Sequence, residues 1–131
     1  MIGDKRKYNV ALITLLTQGA NGEKPGNDIL EGVAATLVAG VKTVQQAVQN
    51  PDFIKKIEHF VKLANEDGTV CPSHAARIAK FTILPSDYSV ETGELTPTLK
   101  LKRSVAEAKY LKGIEAMYQD TSSATFIPYP A

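Results

Sequence analysis

The sequence has no tryptophan, one cysteine, two histidines and two methionines among its 131 residues, and the scarcity of cysteine and histidine closes classes of function. A lone Cys71 permits no internal disulfide, so a reducing, cytoplasmic setting is the simpler expectation. His59, His74 and Cys71 do not form a ligand set with zinc spacing, and no metal site is expected of them. Cys71 has only His74 nearby as a base, with no recognised nucleophile signature around it, and reads as a semi-buried free thiol. Charge of one sign is also missing: 15 basic residues face 14 acidic ones, where a general nucleic-acid binder would carry a strongly basic surface. The longest apolar run, residues 33–41, falls well short of the ~20 residues that span a bilayer, so any membrane contact is expected to be peripheral. Lys5, Arg6 and Lys7 ahead of the apolar residues 10–16 imitate a signal peptide, but no small-residue cleavage pattern follows and secretion is not expected.

What remains is an ordinary globular composition, 44% apolar and 22% charged. A chain of this length makes one domain, which buries about two-thirds of the surface that its unfolded form exposes. Residues 8–16 are rich in β-branched and aromatic side chains and read as a strand buried on both faces. The Gly-rich residues 19–26 break the chain. Asp28 with Glu31 gives a helix-start signature, followed at helical spacing by Leu30, Val33, Leu37 and Val41. A short helix is expected over residues 43–49, and Asn50-Pro51 starts another, with Asn50 as cap. On that helix Ile54, Ile57, Val61 and Ala64 form the core stripe, while Lys55, Glu58, His59 and Lys62 face solvent. Residues 80–84 read as a second strand, with a short strand possible at 99–101. Ser104 and Glu107 predict a capping box for a last helix whose apolar face is Val105, Leu111, Ile114 and Met117. The hydroxyl-rich residues 121–131 are expected to drape loosely or to be disordered. Strands alternating with helices predict an α/β domain, a small sheet with helices packed on it.

The stretch 93–103, GELTPTLKLKR, concentrates chemistry. Pro97 stiffens a turn between Thr96 and Thr98, and Lys100, Lys102 and Arg103 follow at once. Two readings are open. Leu99 and Leu101 alternating with cations suit a half-buried edge strand protected by lysine. The same cations suit phosphate chemistry, because lysine is a compact charge on a long stem and arginine offers a planar fork to phosphate oxygens. There is no Gly-Lys-Ser/Thr phosphate loop.

This stretch resembles the Pro-Thr-x-Lys-x-Lys-Arg closing motif of the acyl-adenylate-forming enzymes, in the version of long-chain acyl-CoA synthetases and most closely those of the bubblegum type. Residues 1–8, MIGDKRKY, resemble a second family segment, and 83–90, ILPSDYSV, the run into the lysine loop. Val105, Lys109, Tyr110 and residues 114–118 resemble the family's final helix.

The resemblance implies a carboxy-terminal lid domain over residues 1–120, lacking its first strands, with a flexible tail at 121–131. It implies an enzyme that joins a fatty acid to AMP from ATP and then transfers the acyl group to coenzyme A. Lys100 stands where the family places its adenylation lysine, and Lys102 and Arg103 would help to hold phosphates of ATP or coenzyme A. The implied partner is an amino-terminal AMP-binding domain, which would bind most of the ATP with its Mg2+ and select the acyl chain. The nucleotide-binding Ser/Thr/Gly-rich loop and the hinge precede the point matched by Met1, so this chain alone is expected to be inactive. Asp4, Lys5 and Arg6 match a family segment read as a turn or an interdomain contact. The competing expectation is a non-catalytic interaction module of the same fold.

Overall fold

The computed structural model describes residues 2–3, 6, 8–69, 73 and 76–130. Asp4, Lys5, Cys71 and His74, to which readings were attached above, lie outside the described residues. Two strands, β1 (Asn9–Ile13) and β2 (Ile78–Ile83), pair in parallel, Val10 opposite Lys80 and Ile13 opposite Ile83. Parallel strands need a long crossover, which here contains helices α1 (Val44–Gln49) and α2 (Pro51–Glu66). Two further helices follow β2, α3 (Arg103–Lys109) and α4 (Leu111–Gln119).

The alternation of side chains along a strand explains why β1 is apolar from Val10 onward. Ala11 and Ile13 turn to one face and join Phe53, Ile54, Ile57, Val44 and Ala47 of α1 and α2. Val10 and Leu12 turn to the other and join Met117 of α4 and Ile127. The sheet is thus covered on both sides, the expected small α/β domain. In β2, Phe81 and Ile83 belong to the first face.

The helices of the crossover form where local signals call for them. Thr43 caps α1 by accepting from the Gln46 amide. Asn50 Oδ1 accepts from the Phe53 amide at 3.0 Å, with Pro51 in the first turn of α2. His59 is exposed, as its place opposite the stripe predicts. Asn65, near the end of α2, bonds both the amide and the carbonyl of Ile78 and so fixes where β2 begins.

Four expectations are overturned. Asp28 and Glu31 start no α-helix; only a 3-10 helix, Gly32–Thr36, forms, and its cap at Glu31 makes no side-chain bond. The backbone there is taken by partners distant in sequence: Leu30 donates to Lys42, Glu31 to Leu16 and Val44 to Asp28, so that residues 28–31 lie extended between neighbouring segments. Secondly, Ser104 and Glu107 form no capping box. The cap position falls on Lys102 without a side-chain bond, and Glu107 accepts instead from Arg103 Nε at 3.2 Å. Thirdly, the last helix breaks at Tyr110, and its buried face is Ala106, Tyr110, Gly113, Ile114 and Met117, with Val105 and Leu111 exposed. Fourthly, the end of the chain is packed. Thr125 and Ile127 bond the two sides of Phe81, the Phe126 ring lies tilted against that of Phe81, and Tyr129 lies against Tyr110. Lys80, only 6% exposed, holds this segment by donating to Asp120 and to the carbonyls of Ser122 and Ala124. An apolar Phe126-Ile127 pair and a buried ammonium that needs acceptors outweigh the weak local preference of the hydroxyl-rich residues.

Candidate functional site

Residues 94–102 form a tight hairpin. Leu99 donates to the Thr96 carbonyl across a turn with Pro97 in its second position, where the ring presets the backbone. Thr96 then clamps Lys100 on both sides, its amide donating to the Lys100 carbonyl at 2.8 Å and its Oγ1 accepting from the Lys100 amide at 3.1 Å. Leu95 bridges Leu101, and the Lys102 amide donates to the Glu94 carbonyl at 2.6 Å. The strand reading of 99–101 is therefore met by one bridge in a hairpin.

Leu99 has a φ of +64°, in the left-handed region that costs a branched side chain energy. It is the residue directly before Lys100, and its side chain lies over Gly22 of the Gly-rich loop. That loop is also bonded to the run into the hairpin, Val90 donating to Gly22 and Glu91 to Glu23. The hairpin thus rests on a second loop drawn from the other end of the chain.

Of the three cations singled out from the sequence, Lys100 is exposed on the returning limb of the hairpin, and no ion pair engages it among the described residues. Lys102 is exposed at the hairpin's base. Arg103 begins α3 and pairs with Glu107. All three lie on one short connection, with Lys100 offered by the rigid part of it. Arg6 turns inward on the domain itself, pairing with Glu115 and lying 4.7 Å from the Tyr118 ring, which gives it a structural place.

Sequence reading missed the group beneath the hairpin. Glu94 is fully buried, 0% exposed. Its Oε1 accepts from Thr92 Oγ1 at 2.9 Å and from the Tyr110 hydroxyl at 3.4 Å, and its Oε2 from Lys109 Nζ at 3.2 Å. Because the Thr92 proton goes to Glu94, Ser89 Oγ is the donor of the 2.6 Å contact with Thr92 Oγ1. Burial, reinforced by the Glu94 charge, raises the Tyr110 hydroxyl above its ordinary range and pushes Tyr88 up to about 12. No local signal marks Glu94, since two of its partners lie 15 and 16 residues away.

Among the described residues no three of His, Cys, Asp and Glu converge on a metal position. No helix among them is long and apolar enough to cross a membrane.

A family sequence profile described as "AMP-binding enzyme C-terminal domain" matches residues 31–122. The chain is 38% identical over 118 residues to the long-chain-fatty-acid–CoA ligase FadD15 of Mycobacterium tuberculosis, covering 90% of this chain and 18% of that protein. It is 32% identical over 135 residues to the long-chain-fatty-acid–CoA ligase ACSBG2 of Xenopus laevis, covering 95% of this chain and 17% of that protein. The ligase heimdall of Drosophila melanogaster is 36% identical over 81 residues, 62% of this chain and 12% of that one. The chain spans less than a fifth of the length of these relatives. No solved structure matches it significantly. A small α/β domain carrying the lysine hairpin, matched over most of its length by this profile and by these ligases, belongs to the AMP-binding enzyme C-terminal domain family.

Proposed function

We propose that this chain is the lid domain of a long-chain fatty acid–CoA ligase and that Lys100 activates the fatty acid. The observation that carries the reading is a lysine clamped at its backbone by Thr96 but exposed at its side chain, in a domain of this family.

In the first half-reaction a carboxylate oxygen attacks the α-phosphorus of ATP, the bond to the β-phosphate oxygen breaks, and pyrophosphate leaves with its electron pair. Two anions approach each other, so negative charge crowds in the transition state. An ammonium delivered between them offsets the repulsion and orients both reactants. A preorganised charge of this kind contributes about 2.7–4 kcal/mol or more, at least on the order of 10²–10³ in rate. In the second half-reaction the sulfur of coenzyme A attacks the acyl carbon, the thiol proton is lost to solvent, and AMP departs. Lys100 has no part in that step, and rotation of the lid removes it. Lys102 and Arg103 follow Lys100 on the same connection and would meet phosphate oxygens of ATP or coenzyme A. The partner is an AMP-binding domain, which supplies the nucleotide loop that this sequence does not contain, and the chain by itself is inactive.

In the full-length ligase, Lys100→Ala should abolish pyrophosphate release while sparing thioester formation from supplied acyl-adenylate. Equal loss of both half-reactions overturns the assignment. The isolated chain, given fatty acid, ATP and coenzyme A, should release no pyrophosphate.

A further inference from the structure

We propose that Glu94 is a positioning residue for Lys100: its buried carboxylate sets the angle at which the hairpin stands on α3. The inference rests on the reading of Lys100 given above.

A carboxylate with no solvent contact is an expensive way to fasten a hairpin, because an apolar side chain of similar volume commonly stabilises as well or better. What an apolar contact cannot do is fix direction. Glu94 receives donors from three sides: Thr92 from the preceding turn, Lys109 from α3, and Tyr110 from the junction of α3 and α4. Lys109 also reaches the Thr92 carbonyl at 3.4 Å, closing a ring through the turn, the hairpin and the helix. Rotation of the hairpin against α3 would break more than one of these bonds.

The link from Glu94 to Lys100 contains no soft joint. The Glu94 carbonyl accepts from Lys102, Leu95 bridges Leu101, and Thr96 holds both the amide and the carbonyl of Lys100. A change in the seat of Glu94 is therefore passed along the two limbs as a rigid tilt. Misplacing a catalytic group by about 1 Å costs on the order of 10²-fold in rate, which makes the seat a determinant of activation.

The experiment compares Glu94→Gln, Lys100→Ala and the double variant in the full-length ligase. Pyrophosphate release and thioester formation from supplied acyl-adenylate are followed separately. Glu94→Gln keeps the shape and removes the charge that holds Lys109. The expected result is a fall on the order of 10²-fold in kcat for pyrophosphate release, with KM for ATP and the thioester step unchanged. The double variant should be no slower than Lys100→Ala alone, since the seat matters only through the lysine. Loss of both half-reactions in step with the melting temperature overturns the proposal, as does an unimpaired Glu94→Gln beside a damaged Lys100→Ala. Full pyrophosphate release in Lys100→Ala overturns the underlying reading and the proposal together. Should Glu94→Gln fail to fold, Thr92→Val removes one donor to Oε1 and is judged by the same outcomes.

Discussion

The side chain of Leu99 lies so closely over Gly22 that a methyl group at position 22 would meet Leu99 Cδ2 at 2.9 Å and Cδ1 at 3.0 Å. The φ of Gly22, +86°, is also one that a side chain rarely adopts. Gly22→Ala should therefore destabilise the chain by about 1–2 kcal/mol, read as a lower urea midpoint. Because Leu99 precedes Lys100, the same substitution in the full-length ligase should slow pyrophosphate release.

Two caps proposed by the sequence have opposite fates, and a pair of alanines separates them. Asn50→Ala removes the acceptor of the Phe53 amide and should cost about 1 kcal/mol. Ser104→Ala removes a hydroxyl that caps nothing and should stay within about 0.5 kcal/mol of the parent. Equal midpoint shifts for the two would contradict the helix start at Arg103.

Lys80 ties three acceptors of residues 120–124 to the sheet. Lys80→Met should lower stability by about 2 kcal/mol and make the end of the chain an early site of limited proteolysis. Bonds from Ser122, with Lys80 adding to them, hold the Asp120 carboxyl below its ordinary range. A depressed carboxyl contributes stability that is complete above its unfolded pKa and is lost as pH falls through the folded value. Lys80→Met should accordingly flatten the acid limb of the stability profile.

Tyr88 makes a prediction at the opposite end of the scale. Its folded pKa of about 12, against an unfolded 10.0, arises first from burial and then from Tyr110, Glu94 and Asp87. The folded state binds the proton more tightly, so this contribution is complete below the unfolded value and is lost as pH rises from there through the folded one. Ultraviolet titration should show Tyr88 among the tyrosinates that appear late, with Tyr110 and Tyr118 also raised by burial, and Tyr88→Phe should make stability fall less steeply over the same alkaline interval.

The parts of this fold that could be read in advance are those whose causes sit close together in the chain. Asn50-Pro51, the α2 stripe and the apolar run of β1 each carry their own reason within a few residues. Residues 28–31 defeated the helical pattern because their amides and carbonyls are claimed by residues 16, 18, 42 and 44, bonds that no helical spacing contains. At the site, family resemblance pointed to Lys100 as the lysine of interest, while the residues that hold its backbone are found only in the fold. Glu94 carries no signal of its own in the sequence, and its burial follows from Lys109 and Tyr110 arriving from the next helix. The tail reads as loosely draped or disordered until Lys80, on a strand about forty residues earlier, is seen to donate to its carbonyls.

The parallel pairing of Asn9 with Ile78 has a kinetic side. The two strands of this sheet meet only after the whole helical crossover has been brought round. Phe81 is the place where the first strand's layer and the incoming Phe126 converge. Substitutions at Phe81 should consequently slow the approach to the native state as well as weaken it, whereas changes in the lysine hairpin should act mainly on how fast the finished domain comes apart.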